Sequence, residues 1–285
     1  MDFTFENFVE EFNNFTKVVQ NKIDVSDCKF IEPVGVVILK ALLLESLNLI
    51  VYTNRSSPSF SYFNTLLSAN YDKEKNYIPI EIVGFNNIRE NGNKIVNLII
   101  RNLHKEDKND LGDFLIHMVG ELLNNAVYHS LSEIKTVITG QYFPKKGKIQ
   151  ICVVDRGVGF LSNLGKAYNV FTDSEAIVKA LEKGVTSPPS KINPYYSEIS
   201  HAGCGLYTLR RIIEETNGRL IIISNNSAVK LESNKTEILS EEVNWKGVIV
   251  VFELSESDMS YVLQLYTLRD FLKTFVWNDD DDKIF

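Results

Sequence analysis

One acidic residue and two glycines, placed directly after a largely apolar run, constrain this chain more than any other feature. The run Ile149–Val154 has the length and the aliphatic content of a buried strand, and Asp155-Arg-Gly157-Val-Gly159 follows it without a break. Glycines leave the backbone free to turn and to lie close against another group. The pattern predicts a buried strand that ends at a carboxylate, with room beside the backbone for a flat ligand. An Asp that starts an ordinary turn is the alternative interpretation.

Two further motifs lie on either side of this strand end. Upstream, the stretch Leu111–Leu131 has apolar residues at helical spacing, and Glu121 and Asn125 are four residues apart on it, on the same stripe as His129. A polar stripe that faces solvent is the alternative interpretation. Downstream, Gly203-Cys204-Gly205-Leu206 opens a second helix, whose free amides are suited to phosphate oxygens.

In this order, the three motifs resemble the N, G1 and G2 boxes of the GHKL superfamily of ATP-binding domains, which includes gyrase, Hsp90, histidine kinases and MutL. The resemblance implies a mixed sheet covered by helices on one face, with a pocket for ATP and Mg²⁺. Glu121 would be the catalytic base of that pocket, Asn125 the metal ligand, and Asp155 the acceptor for the exocyclic amine of adenine. The remaining nucleotide-binding residues would be His129, Gly157, Gly159, Gly203, Cys204, Gly205 and Leu206, together with Asn125.

The same resemblance assigns a role to a long loop and shows one departure from the family. The segment Gly184–Ala202, rich in Ser, Pro and Asn, would be the lid over the phosphates. The family usually has Gly-Thr at the start of its last core strand, where the Thr helps to hold an adenine-bound water. This sequence has Gly247-Val248. We therefore expect either weaker nucleotide binding or a differently held water.

The N-terminal part of the chain reads as a small α/β unit. The stretch Ile23–Gly35, followed by an apolar helix, resembles the STAS fold of anti-sigma factor antagonists. In those proteins a strand ends in Asp-Ser-Ser-Gly, and a GHKL-type kinase phosphorylates a serine there. Neither Pro33 nor Val34 at this place has a hydroxyl group, so a phospho-switch cannot operate at this site. An ordinary strand–helix turn is the alternative interpretation.

The predicted organisation is an α/β (α+β) protein with four segments. A STAS-like domain spans residues 1–84, a helical linker 85–110, a GHKL ATP-binding domain 111–256, and a C-terminal helix with an acidic tail 257–285. We expect the STAS-like unit to dock on or restrain the ATP domain rather than to serve as its substrate.

Composition excludes several classes of protein. A net charge of −7 argues against a nucleic-acid binder, which needs a basic face. The longest apolar stretch, Val34–Leu44, contains Lys40 and is too short to cross a bilayer. Three cysteines without C-x-x-C spacing, and a start that lacks the pattern of a signal peptide, predict a cytoplasmic protein with reduced thiols and no membrane partner.

The functional hypothesis is a cytosolic regulatory protein of bacterial type that binds Mg-ATP. Lid closure and slow hydrolysis would control a protein partner, whose identity the sequence does not name, and a homodimer is left open. One alternative is an anti-sigma-type serine protein kinase that acts on a separate STAS-like partner. Another is an interaction scaffold without nucleotide. A histidine kinase is disfavoured because no His-containing helical hairpin precedes the ATP domain.

Overall fold

The computed structural model describes residues 2–102, 109–132, 135–185 and 205–255, without the side chains of 109–114, 117 and 129. The strands are β1 (Asp2–Phe3), β2 (Lys22–Asp24), β3 (Phe30–Ile31), β4 (Ile50–Tyr52), β5 (Tyr77–Val83), β6 (Thr136–Phe143), β7 (Lys148–Val154), β8 (Arg219–Ser224), β9 (Ser227–Glu232), β10 (Lys235–Ser240) and β11 (Val248–Ser255). The helices are α1 (Phe12–Phe15), α2 (Pro33–Glu45), α3 (Pro58–Ser68), α4 (Ile88–Asn102), α5 (Asn109–Asn124), α6 (Gly159–Tyr168), α7 (Asp173–Ala180) and α8 (Gly205–Glu215), and a π-helical turn, Asn125–His129, continues α5.

A seven-stranded sheet in the order β10-β9-β8-β11-β7-β6-β5 forms the centre of the described structure. The fold is α+β, as predicted, but the expectation of a mixed sheet is wrong, because every pairing within this sheet is antiparallel. Short turns connect several of these pairs. The turn at Pro144–Gly147 joins β6 to β7, and Ser233 and Asn234, both at positive φ, join β9 to β10.

Both faces of the central strands β7, β8 and β11 are buried, whereas helices were predicted on one face only. Alternate residues of a strand point to opposite faces, so in β7 the side chains of Ile151 and Val153 join the core under α4, α5 and α8. Those of Cys152 and Val154 join a second core, under α2 and the N-terminal phenylalanines. A strand that is apolar at consecutive positions requires cover on both sides, and the N-terminal residues provide the second cover.

Buried polar side chains join the N-terminal residues to this second face. Gln150 Nε2 in β7 donates to Glu32 Oε2 and to Glu253 Oε1, each at 2.9 Å. Glu32 Oε2 also accepts from the backbone N–H of Phe5 at 2.8 Å. Glu32, Gln150 and Glu253 are all buried, and an unpaired polar group would be costly there. The network therefore favours a single packing position of the N-terminal residues against the sheet.

The N-terminal strands form two short parallel pairs, β1 with β3 and β2 with β4, next to α2. Pro33 lies in the first turn of α2, where its missing N–H costs no helical hydrogen bond. Strand β5 lies within the predicted domain 1–84, yet it pairs with β6 and forms one edge of the seven-stranded sheet. The division of the chain into domains stays a prediction.

Several predicted features fall on residues outside the described ranges. They include most of the lid Gly184–Ala202 and the C-terminal helix with its acidic tail, residues 257–285. Across the described ranges, no helix combines the length and the apolar character that a membrane span needs.

Candidate functional site

The carboxylate of Asp155 is buried at the end of β7, with 4% of the residue exposed. Its Oδ1 accepts hydrogen bonds from the backbone N–H of Gly157 at 2.8 Å and of Val248 at 3.2 Å. Burial raises the pKa of Asp155 to about 7, and the two amides and the charge of Arg156 offset this only in part. Because both hydrogen bonds within the described structure fall on Oδ1, the carboxylate is fixed in orientation while Oδ2 keeps its accepting capacity.

The two glycines after Asp155 lie where a side chain would collide with neighbouring atoms. A Cβ on Gly157 would be 2.0 Å from the carbonyl oxygen of Ser130, the residue that follows the π-helical turn. Val158 N–H donates to the same oxygen at 2.8 Å. Gly159 has φ +75°, and a Cβ there would be 2.3 Å from Asn225 Nδ2. The motif thus binds the end of the helical segment on one side and the turn after β8 on the other.

This close approach gives a first testable prediction. Gly157→Ala should lower the free energy of unfolding by about 2 to 3 kcal/mol, since the rigid backbone of Ser130 must move to admit a methyl group. Gly120→Ala is the matched control in α5: a Cβ at Gly120 meets nothing within 4 Å. We expect the control to be neutral or stabilising by up to about 1 kcal/mol. Urea unfolding measures both, and a neutral Gly157→Ala would contradict the described packing.

Glu121 and Asn125 lie near the C-terminal end of the same helical segment, where both are partly exposed. Burial raises the pKa of the Glu121 carboxyl from its usual 4.5 to about 7. The predicted helix is confirmed, but its hydrogen bonding changes at Asn125, the first residue of the π-helical turn. Such turns recur at functional sites. His129 ends this turn, and its side chain lies outside the described residues.

The first residue of α8 lies against Glu121. A Cβ on Gly205 would be 2.4 Å from the Cβ of Glu121, so the start of α8 and the carboxylate-bearing side of α5 are in direct contact. Leu206 is buried and packs in the core beneath α5 and α8 rather than at the surface. Gly203 and Cys204, predicted to bind phosphate, lie outside the described residues.

Three motifs that are distant in sequence therefore lie along one helical segment. Gly205 contacts it at Glu121, and Gly157 contacts it at Ser130. Nine residues separate these two contacts, which corresponds to about 13 Å along a helix axis. The site is elongated: a buried hydrogen-bond acceptor lies at one end, and a carboxylate beside a helix N-terminus lies at the other.

Sequence reasoning missed the residues that fix the Asp155 loop from the far side. Asn225 is in the left-handed conformation, its Nδ2 donates to Val158 O at 3.2 Å, and its Oδ1 accepts from Gly247 N–H at 3.2 Å. Ser224 Oγ accepts from Phe160 N–H at 2.9 Å. The pair Asn225-Asn226 after an apolar strand is a turn signature, and it could have indicated Asn225 as a left-handed residue but not its partners.

Val248, which stands where the resembling family usually has Thr, still allows Asp155 to be held in one orientation. Val248 supplies a backbone N–H to Oδ1, and this hydrogen bond needs no side-chain hydroxyl. Its effect on an adenine-bound water stays a prediction.

Where the structure is described, no three His, Cys, Asp or Glu side chains come together as a metal-binding group. Asn125 offers a neutral amide oxygen of the kind that hard cations accept, next to the turn that begins at that residue. Cys28 and Cys152 are buried free thiols, and Cys204 lies outside the described residues.

Comparison of the sequence with protein-family models gives no match, and comparison with curated proteins gives none either.

Proposed function

We propose that this chain is a regulatory protein that binds Mg-ATP in a GHKL-type pocket, formed largely by residues 111–256, beside a STAS-like N-terminal unit. The observation that carries the proposal is the convergence of three motifs on one helical segment. The oriented carboxylate of Asp155 lies near one end of that segment, and Gly205 contacts Glu121 at the other. Each contact joins residues at least 27 positions apart in sequence, so local structure alone does not explain it.

At the proposed adenine end, Oδ2 of Asp155 accepts a hydrogen bond from the exocyclic amine. Oδ1 is already held by the amides of Gly157 and Val248, so the carboxylate is oriented before the ligand arrives. Guanine has a carbonyl oxygen where adenine has this amine. That oxygen would face a carboxylate, so the pocket favours ATP over GTP.

At the proposed phosphate end, the N-terminus of the eleven-residue helix α8 supplies partial positive charge. The Asn125 amide oxygen would hold Mg²⁺, which when bound would offset part of the phosphate charge. The Glu121 carboxylate accepts a proton from the attacking water as the water oxygen bonds to the γ-phosphorus. The bond from that phosphorus to the bridging oxygen breaks, and ADP and inorganic phosphate are the products.

The regulatory part of the proposal concerns the lid and a partner. Closure of the segment Gly184–Ala202 over the phosphates would change a surface that a protein partner recognises, and slow hydrolysis would reset it. The partner's identity and a homodimeric state are left open.

Calorimetry with Mg-ATP, Mg-ADP and Mg-GTP tests the proposal. We expect heat with both adenine nucleotides and binding of GTP at least about 100-fold weaker, because a buried polar group would be left unpaired or opposed. Incubation with γ-labelled ATP then separates the mechanisms. Free phosphate supports the regulatory switch, whereas label on a serine of a separate STAS-like protein supports the kinase. No heat with any nucleotide on folded protein would leave the scaffold as the remaining hypothesis.

A further inference from the structure

The segment that leads into β11 is bound to the N-terminal residues. Asn13 in α1 makes two hydrogen bonds to it: its Nδ2 donates to Glu242 O at 2.7 Å, and its Oδ1 accepts from Asn244 N–H at 2.8 Å. These contacts join residues about 230 positions apart in sequence. The path of this segment therefore depends on where α1 lies.

Trp245 and Arg156 extend this contact to α2. The ring of Trp245 is buried and packs edge-on against Phe12, with centroids 5.7 Å apart. The guanidinium carbon of Arg156 lies 4.1 Å from the centre of the same indole ring. Arg156 also forms an ion pair with Glu45, the last residue of α2, although only 11% of the Arg156 side chain is exposed. A guanidinium stacked on an indole and paired with a carboxylate is held in one orientation.

Arg156 and the segment that contains Trp245 also lie next to Asp155 and hold its carboxylate. Arg156 is its neighbour in sequence, and the segment that contains Trp245 continues directly into Gly247-Val248. Gly247 has φ +103°, and a Cβ there would be 2.5 Å from both Asp155 O and Gly157 N. Val248 N–H is one of the two donors to Asp155 Oδ1. A shift of this segment would therefore move a donor of Asp155.

We propose that Arg156 and the segment that leads into β11 position Asp155 for adenine: Glu45 acts through Arg156, and Phe12 and Asn13 act through the segment that contains Trp245. These contacts of α1 and α2 and nucleotide affinity are therefore coupled. This inference rests on the proposed function for its ligand. Coupling of binding is reciprocal: if these contacts strengthen nucleotide binding, bound nucleotide stabilises the contacts by the same factor. A partner that breaks the contacts would then weaken nucleotide binding.

The chain offers a matched control for this route. Glu6 in the N-terminal segment pairs with Arg219 at 2.6 Å, which is also an ion pair between that segment and the sheet. Arg219 lies at the start of β8, opposite Glu253, whereas Ser224 at its other end lies opposite Val248. The five-residue separation corresponds to about 17 Å along a strand. Glu6→Gln therefore removes an ion pair between the N-terminal segment and the sheet far from Asp155.

The experiment compares Glu45→Gln, Asn13→Ala, the double variant and Glu6→Gln, each as the full chain. By calorimetry with Mg-ATP, we expect binding about fivefold weaker for Glu45→Gln, about 20-fold weaker for the double variant, and unchanged within twofold for Glu6→Gln. Urea unfolding measures the loss of stability separately. We expect a lower midpoint for Glu45→Gln than for Glu6→Gln, because Arg156 loses the carboxylate beside a largely buried guanidinium while Arg219 keeps Glu253. A merely structural role would lower the midpoint and leave the affinity of the folded protein for Mg-ATP unchanged.

Hydrogen exchange, measured without nucleotide, is the second test of the positioning role. The amides of Gly157 and Val248, which donate to Asp155, should exchange faster in Glu45→Gln than in Glu6→Gln. Equal exchange in the two variants overturns the positioning role, whether or not nucleotide binds. If wild type binds no nucleotide but exchange differs, the proposed function fails and the positioning of Asp155 stands. If wild type binds ATP and all variants bind equally, the proposed function stands and the coupling fails.

Discussion

Asp155→Asn should strongly weaken ATP binding and at the same time stabilise the protein at alkaline pH. The Asn Oδ1 can still accept from Gly157 and Val248, so the backbone stays in place. The amide nitrogen replaces Oδ2, however, and presents a donor to the amine of adenine. We expect the dissociation constant for Mg-ATP to rise at least about 100-fold, the scale for a site whose buried polar group loses its match.

The stability change follows from the direction of the pKa shift. The folded protein raises the pKa of Asp155 from 3.8 to about 7, so it holds this proton more tightly than the unfolded chain does. The resulting stabilisation is complete below pH 3.8 and is lost as the pH rises through about 7. At pH 8 the buried carboxylate is ionised in wild type and absent in the variant. We expect the variant to be more stable there by about 2 kcal/mol, with a smaller difference at pH 5.5.

Urea unfolding at pH 5.5 and pH 8 measures this difference, and calorimetry at pH 8 measures the affinity. Asp24→Asn is the control, because Asp24 is an exposed carboxylate whose pKa is lowered by its hydrogen bonds from Ser26. Its charge stabilises the folded state above pH 3.8, so this substitution should not stabilise the protein at pH 8 and should leave ATP binding unchanged. An Asp155→Asn variant that binds ATP normally would remove the adenine assignment.

The elements with strong periodicity were predicted well from sequence. The apolar run before Asp155 is β7, and the helix predicted to open at Gly203–Leu206 is α8, described from Gly205 to Glu215. The apolar helix predicted after the stretch Ile23–Gly35 is α2, which already begins at Pro33. In these segments local preference and burial agree, so one sequence suffices.

The elements that were missed have weak local patterns. Strand β10 has mostly exposed residues, including Ile238, and forms an edge of the sheet through its pairing with β9. Helix α6 begins at Gly159, a residue with positive φ that the sequence indicated only as part of a turn. Pairing and packing with distant segments decide both elements, and a local pattern does not contain that information.

Some residues of the candidate site could be named from the sequence, and others are found only in the structure. Asp155, Gly157, Glu121 and Gly205 were named as candidates from their motifs and from the resemblance these carry, whereas Asn225 and Trp245 contact partners that only the fold brings near. The cover of the second sheet face was also missed. Part of this cover is held by Gln150, a polar residue inside an apolar strand. Its hydrogen bond to Glu32 becomes visible only in the folded structure. Tertiary contacts, rather than local preference, position these residues.

Glu121→Gln should remove hydrolysis while it preserves nucleotide binding. Glutamine has nearly the shape of glutamate, so Gly205 can still pack against its Cβ, but the amide cannot take a proton from water. We expect the turnover rate to fall by about 10² to 10⁴-fold, with the dissociation constant of Mg-ATP within about threefold of wild type. Phosphate release at saturating ATP measures the rate, and Glu215→Gln on α8, whose carboxylate pairs with Arg211, is the control and should leave it unchanged.

The pH dependence of the wild-type rate provides a further test of the same residue. Burial raises the pKa of Glu121 to about 7, and only the ionised carboxylate can act as a base, so turnover at saturating ATP should rise through about pH 7 and then level off. Because Asp155 has a pKa in the same range, its ionisation must be followed separately, through the pH dependence of ATP affinity. In Glu121→Gln the residual rate should lose the inflection while the affinity profile keeps its own. A rate profile that is unchanged in this variant would assign the base to another residue.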